Sequence, residues 1–192
     1  PGLPDLHGMY WSSSNDFTEA MYYRLAQAVS FSNSFIKNAS ELSGDEVNVF
    51  VAEARFLRAY AYYNLLDLYG NVPLTTEIST ELPTQSNRTE LFNFIESELM
   101  EIESILLASN EYGRVDNVAA HALLSRLYLN AESWTGQDRY ADCITYSQNV
   151  INSGYTLNMN DANGNGTAYD ELFMADNDVN GAQNEFIFTL NF

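Results

Sequence analysis

The side chains able to do chemistry are few in kind. His7 and His121 are the two histidines, and neither has a Cys, His or Glu neighbour at metal-ligand spacing. Cys143 is the single cysteine, so an intrachain disulfide and a multi-thiolate metal site are both ruled out. No Gly-x-Ser-x-Gly elbow is present, which weighs against a Ser-His-Asp hydrolase. Carboxylates abound, and two of them, one held protonated in an apolar pocket, would suffice for a glycosidase. Glu96, Glu98, Glu101 and Glu103 cluster in one segment, but helical spacing puts most of them opposite an apolar stripe, as a solvated face. Asp161, Asn163, Asn165 and Gly166 stand at positions 1, 3, 5 and 6 of a calcium loop, but position 12 is Leu172, with Glu171 one place short. That run reads first as a flexible turn and second as a calcium site.

The elements that must hold these groups are mostly helical. The spacing predicts a loop over residues 1–15, then a helix from Asp16 to about Ala39 with Ala20, Leu25, Ala28, Phe31, Phe35 and Ile36 on its apolar side. Asn15 is placed to cap it. A second helix runs from Gly44 to Tyr69, with Val47, Phe50, Ala54, Leu57, Ala61, Leu65 and Leu68 as its buried face. Ser43 with Glu46 reads as a capping box, and Gly70 followed by Pro73 as the stop. A polar loop over 70–87 leads to a third helix from near Thr89, faced by Phe92, Ile95, Leu99, Ile102 and Leu106. Asp116 caps a fourth, Asn117 to about Ser133, and Asp138 to Asn152 make a fifth, on which Cys143 is expected as a small buried hydrophobe. Trp134 is expected to plug the end of this last hairpin. Beyond residue 153 the helical period is lost, and EFIFTLNF alternates like a strand. The domains are therefore 1–15, a helical region 16–153, and an irregular and strand segment 154–192.

Composition bounds the rest. The chain has 192 residues, 46% hydrophobic content and 14% aromatics, and it carries 26 acidic against 8 basic residues, a net charge of −18. This is enough apolar material for a core. The charge opposes nucleic acid and anionic headgroups, so neither is an expected partner. No apolar run approaches the roughly 20 residues of a membrane helix, and no signal peptide opens the chain. Many exposed rings beside amides and carboxylates suit sugars, whose C–H faces lie on aromatic faces; most of the rings on the helices are expected in the core.

The letters narrow the reading further. EARFLRAYAYYNLLDLYGNVPL (residues 53–74) resembles the signature of the SusD-like (SusD/RagB) outer-membrane glycan-binding lipoproteins. Gly113-Arg114 with Ala119, Ala120 and ALLSRLYLNAE resembles a second block of that family, and Asn184-Glu185-Phe186-Ile187-Phe188 its closing strand, with Tyr169, Leu172 and Phe173 where it has an aromatic-apolar segment. AAHALLSRLYLNA and RYADCITYSQNVI resemble a tetratricopeptide hairpin. The second and fourth helices match weakly at an offset of 66, which sets Leu57 on Leu123, Tyr62 on Tyr128 and Gly70 on Gly136. The fold class implied is mainly α, tetratricopeptide-like hairpins with a few short strands toward the C-terminal end. The chain reads as part of a longer protein, cut at both ends.

The resemblance implies a non-catalytic glycan binder, with an oligosaccharide or polysaccharide as ligand. It would sit at the cell surface of the outer membrane, held by a lipid anchor absent from this chain, as lid of a SusC-like TonB-dependent transporter. It implies no cofactor, calcium at Asp161, Asn163 and Asn165 being the one exception to test. It also implies that a loop before the first repeat helix carries aromatic ligand contacts, which singles out Tyr10, Trp11 and nearby Asn15 as glycan-binding residues. Trp11 anchoring its loop against the core is the competing reading. Arg55 and Arg58 are expected to pair with helix-borne carboxylates or carbonyl ends and hold neighbouring hairpins together. A protein-only repeat adaptor and a carboxylate glycosidase stand as the alternative functions.

Overall fold

The computed structural model describes residues 3–190; Pro1, Gly2 and the last two residues of the expected strand, Asn191 and Phe192, lie outside them. Seven helices occur among the described residues: α1 (Leu3–His7), α2 (Asp16–Ala39), α3 (Asp45–Tyr69), α4 (Arg88–Ile102), α5 (Asn117–Leu129), α6 (Ala131–Thr135) and α7 (Tyr140–Ile151). Each of α2, α3, α4, α5 and α7 packs chiefly on its neighbours in that order, giving an open row of hairpins with one continuous core, as tetratricopeptide arrays require. A single two-stranded pairing among the described residues, β1 (Val72–Pro73) with β2 (Gln85–Ser86), pins the base of the 70–87 loop.

The caps explain the boundaries. The Asn15 side chain accepts from the Phe17 and Thr18 backbone N–H groups, and Asp116 accepts from the N–H of Ala119 at 2.9 Å. Asn87 and Glu90 form the reciprocal capping box that sequence reading placed instead at Ser43 and Glu46. There, Gly44 is the cap residue, so Ser43 lies one position too early and makes no cap bond. Gly70 and Gly136, the pair matched by the internal repeat, both end helices with φ +75°. Tyr62 and Tyr128, the second matched pair, are both fully buried. The fourth predicted helix breaks at Asn130 into α5 and α6, and Trp134 on α6 meets the Tyr63 ring at 5.8 Å, as expected for a hairpin plug. The predicted opening loop contains α1.

Two buried faces and one solvated face differ from those read from periodicity. On α2 the buried side is Val29, Ser32, Asn33 and Ala39, while Phe31 and Phe35 are 66% and 46% exposed. Asn33 is inside because its amide donates to the Thr75 carbonyl and its oxygen accepts from Arg58. On α3 the expected Ala54, Ala61 and Leu65 are buried, but Phe50, Leu57 and Leu68 are exposed, and Phe56, Ala59, Tyr62 and Leu66 are inside. A helix between two neighbours has two packing faces, and a single-stripe reading picks one. On α4 the expected apolar face holds throughout, but the solvated acidic face does not. Glu98 is 6% exposed and joins Arg55 at 2.6 Å and Arg58 at 2.5 Å, tying α3 to α4 as the arginines were expected to do. Glu96 pairs with Arg139 at 2.7 Å, linking α4 to the start of α7.

The segment after Ile151 is irregular, with 3-10 turns at Asp170–Phe173 and Ala182–Asn184. Residues 185–190 form no strand among the described residues: they join no ladder, and the neighbouring stretch 155–158 meets them through side chains, Tyr155 donating to the Ile187 carbonyl and the Asn158 N–H to Glu185. Ile187 and Phe188 pack on the helical core instead, Phe188 meeting Phe56 edge-on at 5.3 Å. Cys143 is half-buried beside Ser125 and Ser147, and not in the core.

Candidate functional site

The site is built at the end of the row where α2 begins and α3 stops. Helix α1 ends in a turn that feeds its exit toward this end: the Tyr10 N–H donates to the Asp5 carbonyl and the Met9 N–H to that of Leu6, with Met9 in the left-handed region at φ 57°. The Tyr10 ring lies on Gly8, where any Cβ would come within 2.0 Å of it. From Ser12 the chain turns into Asn15 and α2. Tyr69, the last residue of α3, donates its hydroxyl to the Thr18 carbonyl at 2.5 Å, and its ring meets Tyr22 edge-on at 5.3 Å. Burial pushes the Tyr69 phenol upward, keeping it a neutral donor at ordinary pH.

These contacts leave an open cleft of about 1150 Å³ between the first loop and the two helix ends. Its walls are mostly apolar: Trp11, Phe17, Met21, Tyr22 and Tyr23, with Glu19 and the serines 12–14 at the margin. Trp11 is 49% exposed, so its ring is offered to solvent and not consumed by the core. Tyr10 is exposed beside the cleft but outside its lining, and Asn15 is 4% exposed with its oxygen committed to the cap. The structure therefore brings Trp11 to the cleft, leaves Tyr10 at its edge and sets Asn15 beneath it. Phe17, Tyr22, Tyr23 and Tyr69 were not singled out from sequence, although an aromatic pair one and a half turns into α2 was the available signal. Rings with a sparse polar margin can stack on and orient a ligand; no paired carboxylates line this cleft.

The other candidate residues form structure elsewhere. Asp161 accepts from the backbone N–H groups of Gly164, Asn165 and Gly166, while the Asn163 and Asn165 amides donate to Asp170. Glu171 is buried and accepts from the Asn163 N–H and the Asn180 amide. Among the described residues no group of three or more His, Cys, Asp and Glu is placed to hold a metal ion. His7 ends α1, and His121 faces Glu103 at 3.5 Å and the Tyr146 ring.

Residues 7–129 match the family described as "Starch-binding associating with outer membrane". The chain belongs to the SusD-like family. It is 39% identical over 180 residues to the starch-binding protein SusD of Bacteroides thetaiotaomicron, covering 93% of this chain and 31% of that protein. It thus spans about a third of the length of that curated relative. A SusD-like protein of Bacteroides fragilis superposes with a TM-score of 0.77 at 25% identity, over 95% of this chain and 35% of the other. A laminarin-binding SusD-like protein does so with a TM-score of 0.72 at 25% identity, over 84% and 36%. The mainly helical fold is that of these SusD-like structures.

Proposed function

We propose that the protein is a non-catalytic glycan binder at the outer-membrane surface, in which the Trp11 cleft stacks on pyranose rings of a starch-type glucan. The single observation that carries the reading is the half-exposed Trp11 set among Tyr22, Tyr23 and Phe17 at the open end of the helical row. It is supported by the 39% identity to a protein named for starch binding. Neutral sugars suit a chain of net charge −18, because binding them costs no charge repulsion. In this reading a lipid anchor tethers the protein, and the helical row packs on a TonB-dependent transporter as its lid. The exposed Phe31 and Phe35 of α2 are apolar surface for such a contact. This reading needs no calcium, and the Asp161 carboxylate accepts from three backbone N–H groups of its own turn.

The test is calorimetry of the full-length protein with maltoheptaose, repeated for Trp11→Ala. Saturable binding that weakens about tenfold or more is expected, about 1.4 kcal/mol for loss of an aromatic anchor. Unchanged affinity removes Trp11 from the site. Failure to bind any sugar on a glycan array overturns the reading in favour of a protein-only adaptor.

A further inference from the structure

A second aromatic depression lies on the same end of the molecule. A crevice of about 460 Å³ is lined by Asn71, Asn87, Arg88, Thr89, Glu90 and Trp134. Trp134 is half-buried, with its plane at 85° to Tyr63, so its position is set by the core. Arg88 lies across Gly70: a Cβ there would come within 2.8 Å of its Nε and Nη2, and the left-handed φ of +75° disfavours a side chain in any case. Among the described residues this guanidinium has neither an acidic partner nor a ring beneath it. The Asn71 amide and the Asn87 Nδ2 likewise make no hydrogen bond, and Glu90 uses only Oε2 in the capping box. An indole, three side chains with free donor groups and a spare carboxylate oxygen thus border one depression in a strongly acidic protein.

We infer that this crevice is a second glycan subsite, taking a neutral pyranose of the same chain that occupies the Trp11 cleft. The inference rests on the reading of that cleft as a glycan site and extends it to ligand length. Tyr69 lines the cleft and Asn71 lines the crevice, so the two depressions share a stretch of chain whose Cα atoms at these positions are at most about 7 Å apart. An extended oligosaccharide crosses that ridge and engages both tryptophans, while a short one fills only the cleft. The second contact then acts as an intramolecular one and adds affinity without a second encounter. The mixture of donors and acceptors selects a polyol. A uronate would find Arg88 but also face Glu90 and the net charge of −18.

The experiment compares maltotriose and maltoheptaose on the full-length protein and on Trp134→Ala, Arg88→Gln and Trp11→Ala. Trp134→Ala is expected to lower maltoheptaose affinity about tenfold and leave maltotriose unchanged; Arg88→Gln, an exposed change that spares the core, is expected to act in the same sense by a few-fold. Trp11→Ala is expected to weaken both sugars. If Trp11→Ala weakens binding while Arg88→Gln and a folded Trp134→Ala bind both lengths as the parent does, the second subsite is refuted and the first stands. If Trp11→Ala has no effect while Trp134→Ala weakens both lengths, the cleft reading fails and the bridging inference fails with it. Tighter binding of a uronate oligomer than of maltoheptaose would refute the neutral-sugar assignment.

Discussion

Replacing Glu98 by Ala tests the packing of the helical row most sharply. Its carboxylate bridges Arg55 and Arg58, and the Arg58 side chain is 6% exposed, with Asn33 as its other close partner. Removal leaves a buried guanidinium without a counter-charge, a loss of about 3–5 kcal/mol. Replacing Glu101, whose side chain is 64% exposed and pairs with Arg55, should cost less than about 1 kcal/mol. Against a typical total of about 5–15 kcal/mol, the first loss is a large fraction and the second a small one. For a chain of this size the first corresponds to about 6–20 °C in Tm. Urea unfolding followed by circular dichroism, with the slope checked for constancy, reads both variants on one scale. A loss below about 1 kcal/mol for Glu98→Ala would refute the buried-bridge argument and restore a solvated acidic face to α4. Replacing Arg58 and Glu98 together by Met and Leu should recover part of the loss, because no charge is then stranded although the buried Asn33 oxygen loses its donor.

Gly70→Ala should destabilise by about 1 kcal/mol, since it places a Cβ at a φ of +75°, whereas the Arg88 tip nearby can swing aside; thermal melts measure it, and a neutral result would contradict the backbone strain. Burial raises the phenols of Tyr63, Tyr69, Tyr128, Tyr146 and Tyr155 above their ordinary value. Protons are then held more tightly folded than unfolded, so their contribution is intact below about pH 10 and falls as pH rises beyond it. Absorbance at alkaline pH should show these five tyrosines ionising late and together with loss of helical signal; ionisation of all five near pH 10 without unfolding would refute it.

Much of this architecture was legible in the letters. The bounds of α2 and the apolar face of α4 follow from caps and spacing within a few residues, as do the stop at Gly70 and the Asp116 cap, because helix formation is decided by contacts one turn apart. The blocks around Arg55 and Arg114 pointed to the family for the same reason: they are contiguous in the chain. The misread Ser43 cap was a one-residue error in where the first turn begins, and the expected strand at 185–190 needed a partner that no local pattern supplies. What covers a face was beyond reach. Asn33 is buried while Phe31 is exposed because Arg58, 25 residues on from Asn33, and the Thr75 carbonyl, 42 residues on, bond to it. Glu98 is internal because two arginines at least 40 residues earlier converge on it. The cleft arises the same way: Tyr22 meets Tyr69, and Trp11 lines the same space, only because α2 and α3 lie side by side and bring a helix start against a helix end. Local chemistry decides which segments coil, and distant partners decide which of their side chains remain free to meet a ligand.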